Sequence, residues 1–308
     1  MKKINLIFTA ILVIIIAMII SSPAKFINSA LNGLSAWTFK ILPSVLPFMI
    51  FTKLLTQLGI IERCCQVFNK PFKKIYGTTP VSAYVFLMSI LSGYPVGSKM
   101  IADLYENGTI TRQDAYRMSS FCSNSGPMFI VGSVGAQMFL NPIVGYIILI
   151  SHIISALVNG LIYRKIKVPE EINLPMNNKE VSKEINIGEI VLSSVQSILS
   201  VGAIVAVFFI IIECLMPIFN LFNPTLRGFM EAVIEITKGC IDLSKLSDIK
   251  LATILSCFVI TFGGFSTIIQ SIALLKKVKM PIWLFTIQKL TQALISSIIC
   301  FLLCLICF

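Results

Sequence analysis

Charged residues are scarce in this sequence. Of 308 residues, 13% are Asp, Glu, Lys or Arg, whereas 56% are hydrophobic. A water-soluble domain carries about 25% charged residues, so a soluble globular protein is excluded. Intrinsic disorder is excluded for the opposite reason, because the chain has too much apolar surface to leave unburied. The composition therefore places the protein in a lipid bilayer.

Acidic residues are fewer than basic ones. Fourteen Asp and Glu stand against 25 Lys and Arg, which gives a formal net charge of +11. In a soluble protein this excess would suggest nucleic acid as a partner. Here the basic residues lie mostly in short loops between apolar runs, which is typical of the positive-inside rule and of attraction to anionic lipid. The sequence has no helix-turn-helix, zinc-finger or RNP motif, so we expect no nucleic-acid binding.

Histidine and paired cysteines are also lacking. The one histidine, His152, lies in an apolar run, where we expect it to pack or to hydrogen-bond between helices. The nine cysteines include no CxxC pair; Cys300, Cys304 and Cys307 share a helical face, but free cysteines in apolar helices pack as small hydrophobic residues. GxSxG, HExxH and Walker motifs are absent. These absences predict no enzymatic activity, no metal site and no cofactor.

Long apolar runs are what the sequence does have. We interpret the first, residues 4–20, as an uncleaved transmembrane helix, because it is long for the apolar region of a signal peptide and a poor cleavage site follows it. A membrane-spanning helix needs about 20 apolar residues. The further runs that meet this length are 34–61, 81–104, 142–163, 190–219, 251–275 and 281–308.

One more apolar run, 118–140, is interrupted by the polar and Gly-Pro residues 123–127. Broken backbone at membrane depth is tolerated only where protein or water satisfies it. If this run crossed the membrane together with all the others, the basic residues would be divided evenly between the two sides. If it enters and leaves on one side, the cytoplasmic side holds clearly more of them. We therefore predict about seven crossings, a re-entrant hairpin at 118–140, a cytoplasmic N-terminus and an external C-terminus.

Two apolar segments are broken by glycine at similar points. Residues 87–100 read LMSILSGYPVGSKM and residues 258–270 read FVITFGGFSTIIQ. Each follows a loop containing Asn and Pro and then an amphipathic stretch. This order predicts an all-α integral membrane protein with two inverted-repeat halves and Gly-broken helices, the plan of many secondary transporters. The predicted units are an N-terminal transmembrane helix at 1–30, a first membrane half at 31–163, a cytoplasmic linker at 164–189 and a second membrane half at 190–308.

The broken segments supply the candidate substrate-binding residues. Glycine and proline free backbone N–H groups, and the positive end of a half-helix attracts an anion. The candidates are Gly93, Tyr94, Pro95, Gly97, Ser98 and Lys99 in the first broken segment, Ser123, Asn124, Ser125, Gly126 and Pro127 in the predicted hairpin, and Gly263, Gly264, Ser266 and Gln270 in the second broken segment. The structural alternatives are a kinked helix whose Lys99 reaches the membrane interface and a tight interhelical turn at 123–127.

Charged residues inside apolar runs are costly and are functional candidates by default. Lys53 and Lys289 are predicted to contact substrate, although a structural ion pair with Glu213 is the alternative. Glu213 and Glu235 are candidates for gating or coupling, and an exposed loop carboxylate is the alternative for Glu235. Because lysines outnumber the buried acid, we predict a small dianion as substrate, with Tyr94 or Phe265 placed to stack on a planar ring.

Several motifs resemble the sporulation integral membrane protein family called YlbJ or SpoVV. They are SGYPVGSK at 92–99, TRQDAYRMSSFCSNSGPMFIVGSVG downstream of it, and the late FGGFS. The resemblance implies a membrane Gate or nucleoside-recognition domain, distantly similar to nucleoside transporters, and a role in endospore formation. The family includes a protein implicated in moving dipicolinic acid across the outer forespore membrane. The resemblance therefore implies a transporter of this dianion in that membrane.

Other functions stay open at this point. The chain is short for the family and its linker is trimmed, so another organic anion or a nucleoside is an alternative substrate. A non-transporting membrane scaffold for spore maturation is the alternative from a different class. The sequence is also compatible with a homo-oligomer.

Overall fold

The computed structural model describes residues 2–168 and 186–308, apart from the side chains of residues 2–8, 61, 62, 64 and 65, so most of the linker predicted at 164–189 lies outside the described residues. The described residues are helical and form no strand, which confirms the predicted all-α class. The α-helices are α1 Lys2–Ser21, α2 Pro23–Ala36, α3 Leu42–Gln57, α4 Ile60–Tyr76, α5 Ser82–Ser92, α6 Val96–Glu106, α7 Arg112–Met118, α8 Pro142–Tyr163, α9 Ile187–Phe219, α10 Pro224–Ile234, α11 Ile236–Leu243, α12 Ile249–Phe262, α13 Gly264–Leu275 and α14 Ile282–Cys307. Between them lie the π-helical segments Trp37–Ile41 and Met128–Met138 and the 3-10 turn Lys276–Val278.

The outer surface of the bundle is apolar. Large hydrophobic side chains such as Val13, Leu192 and Ile298 are more than half exposed, which a soluble monomer does not show over so wide an area. Among the described residues, five helical spans are long and apolar enough to cross a membrane. These spans are Pro23–Gln57, Pro142–Tyr163, Ile187–Phe219, Ile249–Val278 and Ile282–Cys307. The chain is therefore an integral membrane protein.

Residues 112–138 run the length of α8 in the opposite direction. Near the start of α8, Gly145 packs directly on Gly135 of the second π-helical segment. Near its end, the Asn159 side chain donates to Ser120 O at 2.7 Å. Contacts in this order describe an interrupted crossing that lies antiparallel to α8.

The position predicted for the re-entrant hairpin, 118–140, is therefore corrected. The backbone freed by the break at 119–127 is satisfied inside the bundle, because α8 carries Asn159 and His152 on the face that meets it. Composition alone does not separate a re-entrant hairpin from an interrupted crossing, since both need small and polar residues at membrane depth.

The hairpins lie elsewhere in the chain. Helices α5 and α6 fold back on each other, because a Cβ added to Gly97 would lie 2.8 Å from Ser89 Cβ. In one straight helix, residues eight positions apart are separated by about 12 Å. Helices α10 and α11 fold back in the same way, and a Cβ added to Gly239 would overlap Ala232. Each hairpin thus depends on a glycine where its two arms touch.

Each half of the bundle runs in the order hairpin, interrupted crossing, long helix. The first half consists of α5–α6, residues 112–138 and α8, and the second of α10–α11, α12–α13 and α14. The two long helices, α8 and α14, pack on each other and both pack on α12. The prediction that residues 87–100 and 258–270 are equivalent is therefore corrected. Residues 258–270 belong to the interrupted crossing α12–α13, and its counterpart in the first half is the interrupted crossing at 112–138. The prediction of two related halves with Gly-broken helices is confirmed.

Polar contacts show which segments share an end of the bundle. At one end, here called the linker end, Arg117 donates to Gly77 O at 2.5 Å and to Ile166 O at 3.3 Å. Lys277 pairs with Glu106 at 2.6 Å at the same end. The open end of the α5–α6 hairpin therefore lies at the linker end.

The second hairpin starts from the opposite end. Arg227 of α10 donates to Asn220, which follows the C-terminus of α9, at 3.4 Å. Lys25, at the start of α2, pairs with Glu213 near that same end of α9 at 3.0 Å. The two hairpins therefore enter the bundle from opposite ends, as an inverted repeat requires.

The basic residues favour a cytoplasmic linker end. Arg112 and Arg117, which the sequence-based topology placed outside, join the lysines at 276–279 at this end, so the positive-inside rule favours it more strongly. We expect an epitope inserted after Asn107 to be cytoplasmic and a reporter fused after Phe308 to be external. Antibody access in intact and permeabilised spheroplasts measures both. An inserted epitope reached in intact spheroplasts would contradict the crossing that precedes α8.

Candidate functional site

The tips of the two hairpins meet in the middle of the bundle. Tyr94, at the tip of α5–α6, donates its hydroxyl to Thr261 O at 3.2 Å, just before the break between α12 and α13. Gly264, just after that break, lies against the other hairpin, where an added Cβ would be 3.3 Å from Ala232 O. Both hairpins therefore contact the same break, as predicted for a central site shared by the two halves.

A cleft opens beside this junction. It is lined by residues of both halves of the bundle. The hairpin tips and helix breaks form a polar wall, and α3 and α9 form an apolar wall opposite. The polar wall includes Ser92, Gly93, Tyr94, Ser125, Gly126, Glu235, Thr237, Ser266, Thr267 and Gln270. The apolar wall includes Val45, Phe48, Met49, Ile198, Val201 and Val205.

Two glycines make the break between α12 and α13. Gly263 and Gly264 have φ angles of +93° and +61°, in the left-handed region that residues with a side chain rarely adopt. Thr267 donates its hydroxyl to Gly263 O and closes the turn. Helix α13 can therefore begin directly at the cavity, with Ser266 and Thr267 on the lining.

The break at 119–127 is held by hydrogen bonds from α8 and α5. Ser125 donates its N–H to His152 Nε2 at 3.1 Å, so the hydrogen of the neutral imidazole must be on Nδ1. Nδ1 lies 2.9 Å from Thr261 Oγ1 and donates to it. Asn124 donates to Ser89 Oγ at 2.9 Å. His152 therefore joins the two helix breaks, which confirms the interhelical role predicted for it.

Four helices begin at the polar wall. Helix α6 begins at Val96, the second π-helical segment at Met128, α11 at Ile236 and α13 at Gly264, and residues at or beside each start line the cavity. The first N–H groups of a helix have no partner within it, and its dipole puts positive charge there. Two helix C-termini also reach this wall, that of α5 at Ser92 and that of α10, whose C-cap is Glu235. Helix starts and helix ends therefore both face the polar wall, and the starts are more numerous.

Glu235 is the acidic residue of the lining. Its side chain is buried, at 4% exposure, and its carboxylate accepts the N–H of Lys238 at 2.8 Å. This bond caps α11, so the carboxylate offsets part of the positive charge of that helix start. Its burial excludes the alternative of an exposed loop carboxylate. A role of Glu235 in gating or coupling stays a prediction.

Lys289 lies directly behind the polar wall. It is 1% exposed, and its ammonium donates to Ser123 O at 2.7 Å, to Tyr94 Oη at 2.9 Å and to Gln292 Oε1 at 2.9 Å. Tyr94 separates the ammonium from the cavity. Lys289 therefore lies one side chain away from the cavity, and its predicted role in substrate binding stays a prediction.

The predicted site residues fall into three groups. Those that line the cavity are Gly93, Tyr94, Ser125, Gly126, Ser266, Gln270 and Glu235. Those that support the lining from behind, besides Lys289, are Pro95, Gly97, Ser98, Ser123, Asn124, Pro127, Gly263 and Gly264. The third group lies away from it: Lys99 is exposed on α6, Lys53 donates to Ser193 Oγ at 3.0 Å in a separate cleft, and Glu213 pairs with Lys25.

Part of each wall was not predicted. The hydroxyl residues Ser92, Thr237 and Thr267 are next to predicted residues or one turn from them, so a wider window around each break would have included them. The apolar wall of α3 and α9 could not be predicted from the sequence, because its residues have the same composition as helix faces that contact lipid.

The first half of the bundle matches a known family. Residues 38–141 match the Gate family, described as nucleoside recognition. This range includes the α5–α6 hairpin and the interrupted crossing after it. Over almost its whole length the chain is similar to "Sporulation integral membrane protein YlbJ" of Bacillus subtilis (strain 168), at 28% identity; the alignment covers 98% of this chain and 84% of YlbJ.

Solved structures of CNTnw variants share the fold, each at 15% sequence identity. Two outward-facing variants superpose with TM-scores of 0.62 and 0.55, covering 88% and 86% of this chain and 76% of each CNTnw chain. A variant in an intermediate state has a TM-score of 0.51 and covers 93% of this chain and 85% of the other. The resemblance carried by the sequence motifs is thus confirmed: this integral membrane protein matches the Gate nucleoside-recognition family over residues 38–141, is similar to YlbJ along nearly its whole length and shares the fold of the CNTnw variants.

Proposed function

We propose that the protein transports a small organic dianion through the cavity between its hairpin tips. Transport as such is supported by the Gate domain and by the transporter fold. The observation that carries the choice of an anion is the convergence of four helix N-termini on the polar wall. A helix N-terminus has an effective charge of about +0.5, and three of these four starts have no side-chain cap. Carboxylates accept the N–H donors of such starts well.

Dipicolinic acid is the dianion that we propose. Its two carboxylates can accept hydrogen bonds from the helix starts and from the hydroxyls of Thr237, Ser266 and Thr267. Its planar ring suits the aromatic faces of Phe48 on the apolar wall and of Phe129 on the second π-helical segment. Lys289 lies one side chain behind the polar wall. Two of the three lysines first expected to bind the dianion, Lys53 and Lys99, lie away from the cavity, so the helix starts carry most of the attraction.

The similarity to YlbJ supports a proposal for the membrane in which this transport takes place. YlbJ is named a sporulation integral membrane protein, and this chain matches it over both halves. We therefore propose that the protein works in the outer forespore membrane of an endospore-forming bacterium and moves dipicolinic acid toward the forming spore.

A nucleoside is the second candidate substrate. The Gate family is described by nucleoside recognition, and the buried carboxylate of Glu235 in the lining suits a solute that donates hydrogen bonds. A membrane scaffold without transport is less well supported. A scaffold does not require a polar cavity enclosed by two helix breaks and two hairpin tips, whereas a transporter does.

Uptake by purified protein tests the substrate. In proteoliposomes we expect uptake of radiolabelled dipicolinate that excess unlabelled dipicolinate inhibits and excess uridine does not. Vesicles without protein give the background. Uptake of radiolabelled uridine together with no uptake of dipicolinate would replace the anion by a nucleoside, and uptake of neither would favour the scaffold.

Expression in a Bacillus subtilis strain that lacks YlbJ tests the cellular role separately. We expect spores of the complemented strain to contain more dipicolinate than spores of the strain carrying an empty vector. Equal dipicolinate contents, at equal levels of membrane-inserted protein, would contradict the sporulation role and would leave the transport measured in vesicles unaffected.

A further inference from the structure

Lys289 is a buried lysine without a buried anion beside it. Its three N–H donors are used by a carbonyl, a phenol and an amide oxygen, all of them neutral. None of the salt bridges among the described residues includes it. The hydrogen bonds hold the side chain in place, but they do not supply the negative charge that would balance an ammonium inside a membrane protein.

The other ionisable groups around Lys289 do not supply that charge either. The α5–α6 hairpin contributes Tyr94, α8 contributes His152, which is neutral in its hydrogen bonds, and the break at 119–127 contributes Cys122 beside Ser123. Helix α13 has no charged residue, and the one charged residue of α12, Lys250, is at its far end. The acid of the cavity, Glu235, belongs to the other hairpin and caps α11.

A substrate anion in the cavity would provide the missing charge. The cavity lies on the other side of Tyr94, which lines it and at the same time accepts a hydrogen bond from Lys289. An anion there stabilises the ammonium through space, and an empty cavity removes that stabilisation. Occupation of the cavity and protonation of Lys289 are therefore linked, and the linkage is reciprocal.

We propose that Lys289 is the proton-coupling site of the transporter, carrying a proton when the cavity holds its anion and releasing it when the cavity empties. The proposal rests on the proposed transport of an organic anion and adds its coupling ion. In each cycle one proton binds the Lys289 amine from water on the side where substrate enters. It leaves to water on the side where substrate is released.

Tyr94 can couple the protonation state of Lys289 to the hydrogen bonding of the hairpin tip. When Lys289 is an ammonium, all three N–H groups donate, so the Tyr94 oxygen must accept and its O–H is directed to the carbonyl of Thr261 on α12. When Lys289 is an amine, its lone pair can accept the Tyr94 O–H instead, and the carbonyl loses its partner. Loss of the proton therefore breaks a hydrogen bond that joins the tip of α5–α6 to the α12 break beside the cavity.

Proteoliposomes loaded at defined pH test the proposal with radiolabelled dipicolinate as the probe. The membrane potential is held at zero by valinomycin with equal potassium concentrations on both sides, because one proton and one dianion together carry a net negative charge. For the wild-type protein, a proton gradient of about one pH unit directed inward should then drive about tenfold accumulation if one proton accompanies each substrate. A protonophore should abolish it, and a sodium gradient should not replace it. The Lys289→Gln variant should lose this accumulation, while exchange of internal for external dipicolinate continues. Lys289→Arg, which keeps its proton, should behave in the same way.

A matched control is Lys40→Gln. Lys40 is also a lysine within an apolar span and also donates to a carbonyl, that of Gln137, at 3.3 Å, but it does not line the cavity. Its proton-driven accumulation should equal that of the wild type. Size-exclusion profiles in detergent establish that each variant is folded.

The outcomes separate this proposal from the proposed function. Wild-type uptake that follows a sodium gradient, or that does not respond to a proton gradient, overturns the role of Lys289 and leaves anion transport standing. Proton-driven accumulation that survives in Lys289→Gln overturns the role of Lys289 alone. Failure of the wild-type protein to take up dipicolinate under any gradient overturns both proposals.

Discussion

Replacing Gly97 by alanine should prevent the protein from folding. The added Cβ would overlap the carbonyl oxygen of Cys122 and would lie 2.8 Å from Ser89 Cβ. The first atom is backbone and the second is fixed to it, so neither can turn away. Ordinary overpacking of a core costs about 1–3 kcal/mol because side chains shift, and here two segments of backbone must separate. We expect a larger cost and no monodisperse protein in a size-exclusion profile.

Gly239→Ala should have the same effect in the second hairpin, because its Cβ would overlap Cα and Cβ of Ala232. Gly228→Ala is the matched control in the same hairpin. The nearest atom to its added Cβ is Leu243 Cδ2 at 3.4 Å, an ordinary contact, and alanine also favours helix by up to about 1 kcal/mol. Thermal unfolding in detergent compares the variants. If Gly97→Ala and Gly239→Ala unfold at the wild-type temperature, the hairpin arms do not touch as described.

The breaks in the helices could be predicted from the sequence, and their topology could not. Gly93, Gly263 and the polar run at 123–127 interrupt apolar runs, so each one marks a place where the backbone leaves the helix. Whether the chain then turns back or continues depends on what packs across the break. That information is spread over α8, whose Asn159 meets Ser120 far along the sequence.

The second hairpin escaped prediction because it is too polar to look like a membrane segment. Helices α10 and α11 carry Glu231, Lys238 and Asp242, which a hydropathy scan assigns to an external loop. In the folded protein Lys238 bonds to both acids, so the charges compensate one another in the hairpin. Sequence gives the charges but not their pairing, and pairing decides whether they can be buried.

The lysines of the predicted site show that composition does not predict which side chains face the cavity. Successive residues of a helix point about 100° apart, so Ser98 is buried while its neighbour Lys99 is exposed. The face of α6 that meets the bundle is not visible in a run that is apolar throughout. The counting of lysines against acids therefore predicted that lysines would bind the anion, whereas in the structure helix starts lie at the cavity and Lys53 and Lys99 do not.

Changing Glu235 to glutamine should change the affinities for an anion and for a nucleoside in opposite directions. Glu235 is the acid of the cavity lining, and it is buried. A carboxylate about 10 Å from a bound dianion, at an effective dielectric constant of about 20, opposes binding by about 3 kcal/mol. Its removal should therefore lower KM for dipicolinate roughly a hundredfold. Glutamine keeps an oxygen that can accept from the N–H of Lys238, so α11 retains most of its cap.

A nucleoside would respond in the other way, because its hydroxyl and base N–H groups donate to a carboxylate more strongly than to an amide. Loss of such a bond raises KM roughly tenfold. Initial uptake rates of dipicolinate and of uridine over a range of concentrations give both values. Glu106→Gln is the control for net charge, because Glu106 is exposed at the linker end and pairs with Lys277, and it should change neither KM. A KM for dipicolinate that rises in Glu235→Gln would mean that the carboxylate holds the substrate, and the solute of this cavity would then be a hydrogen-bond donor and not a dianion.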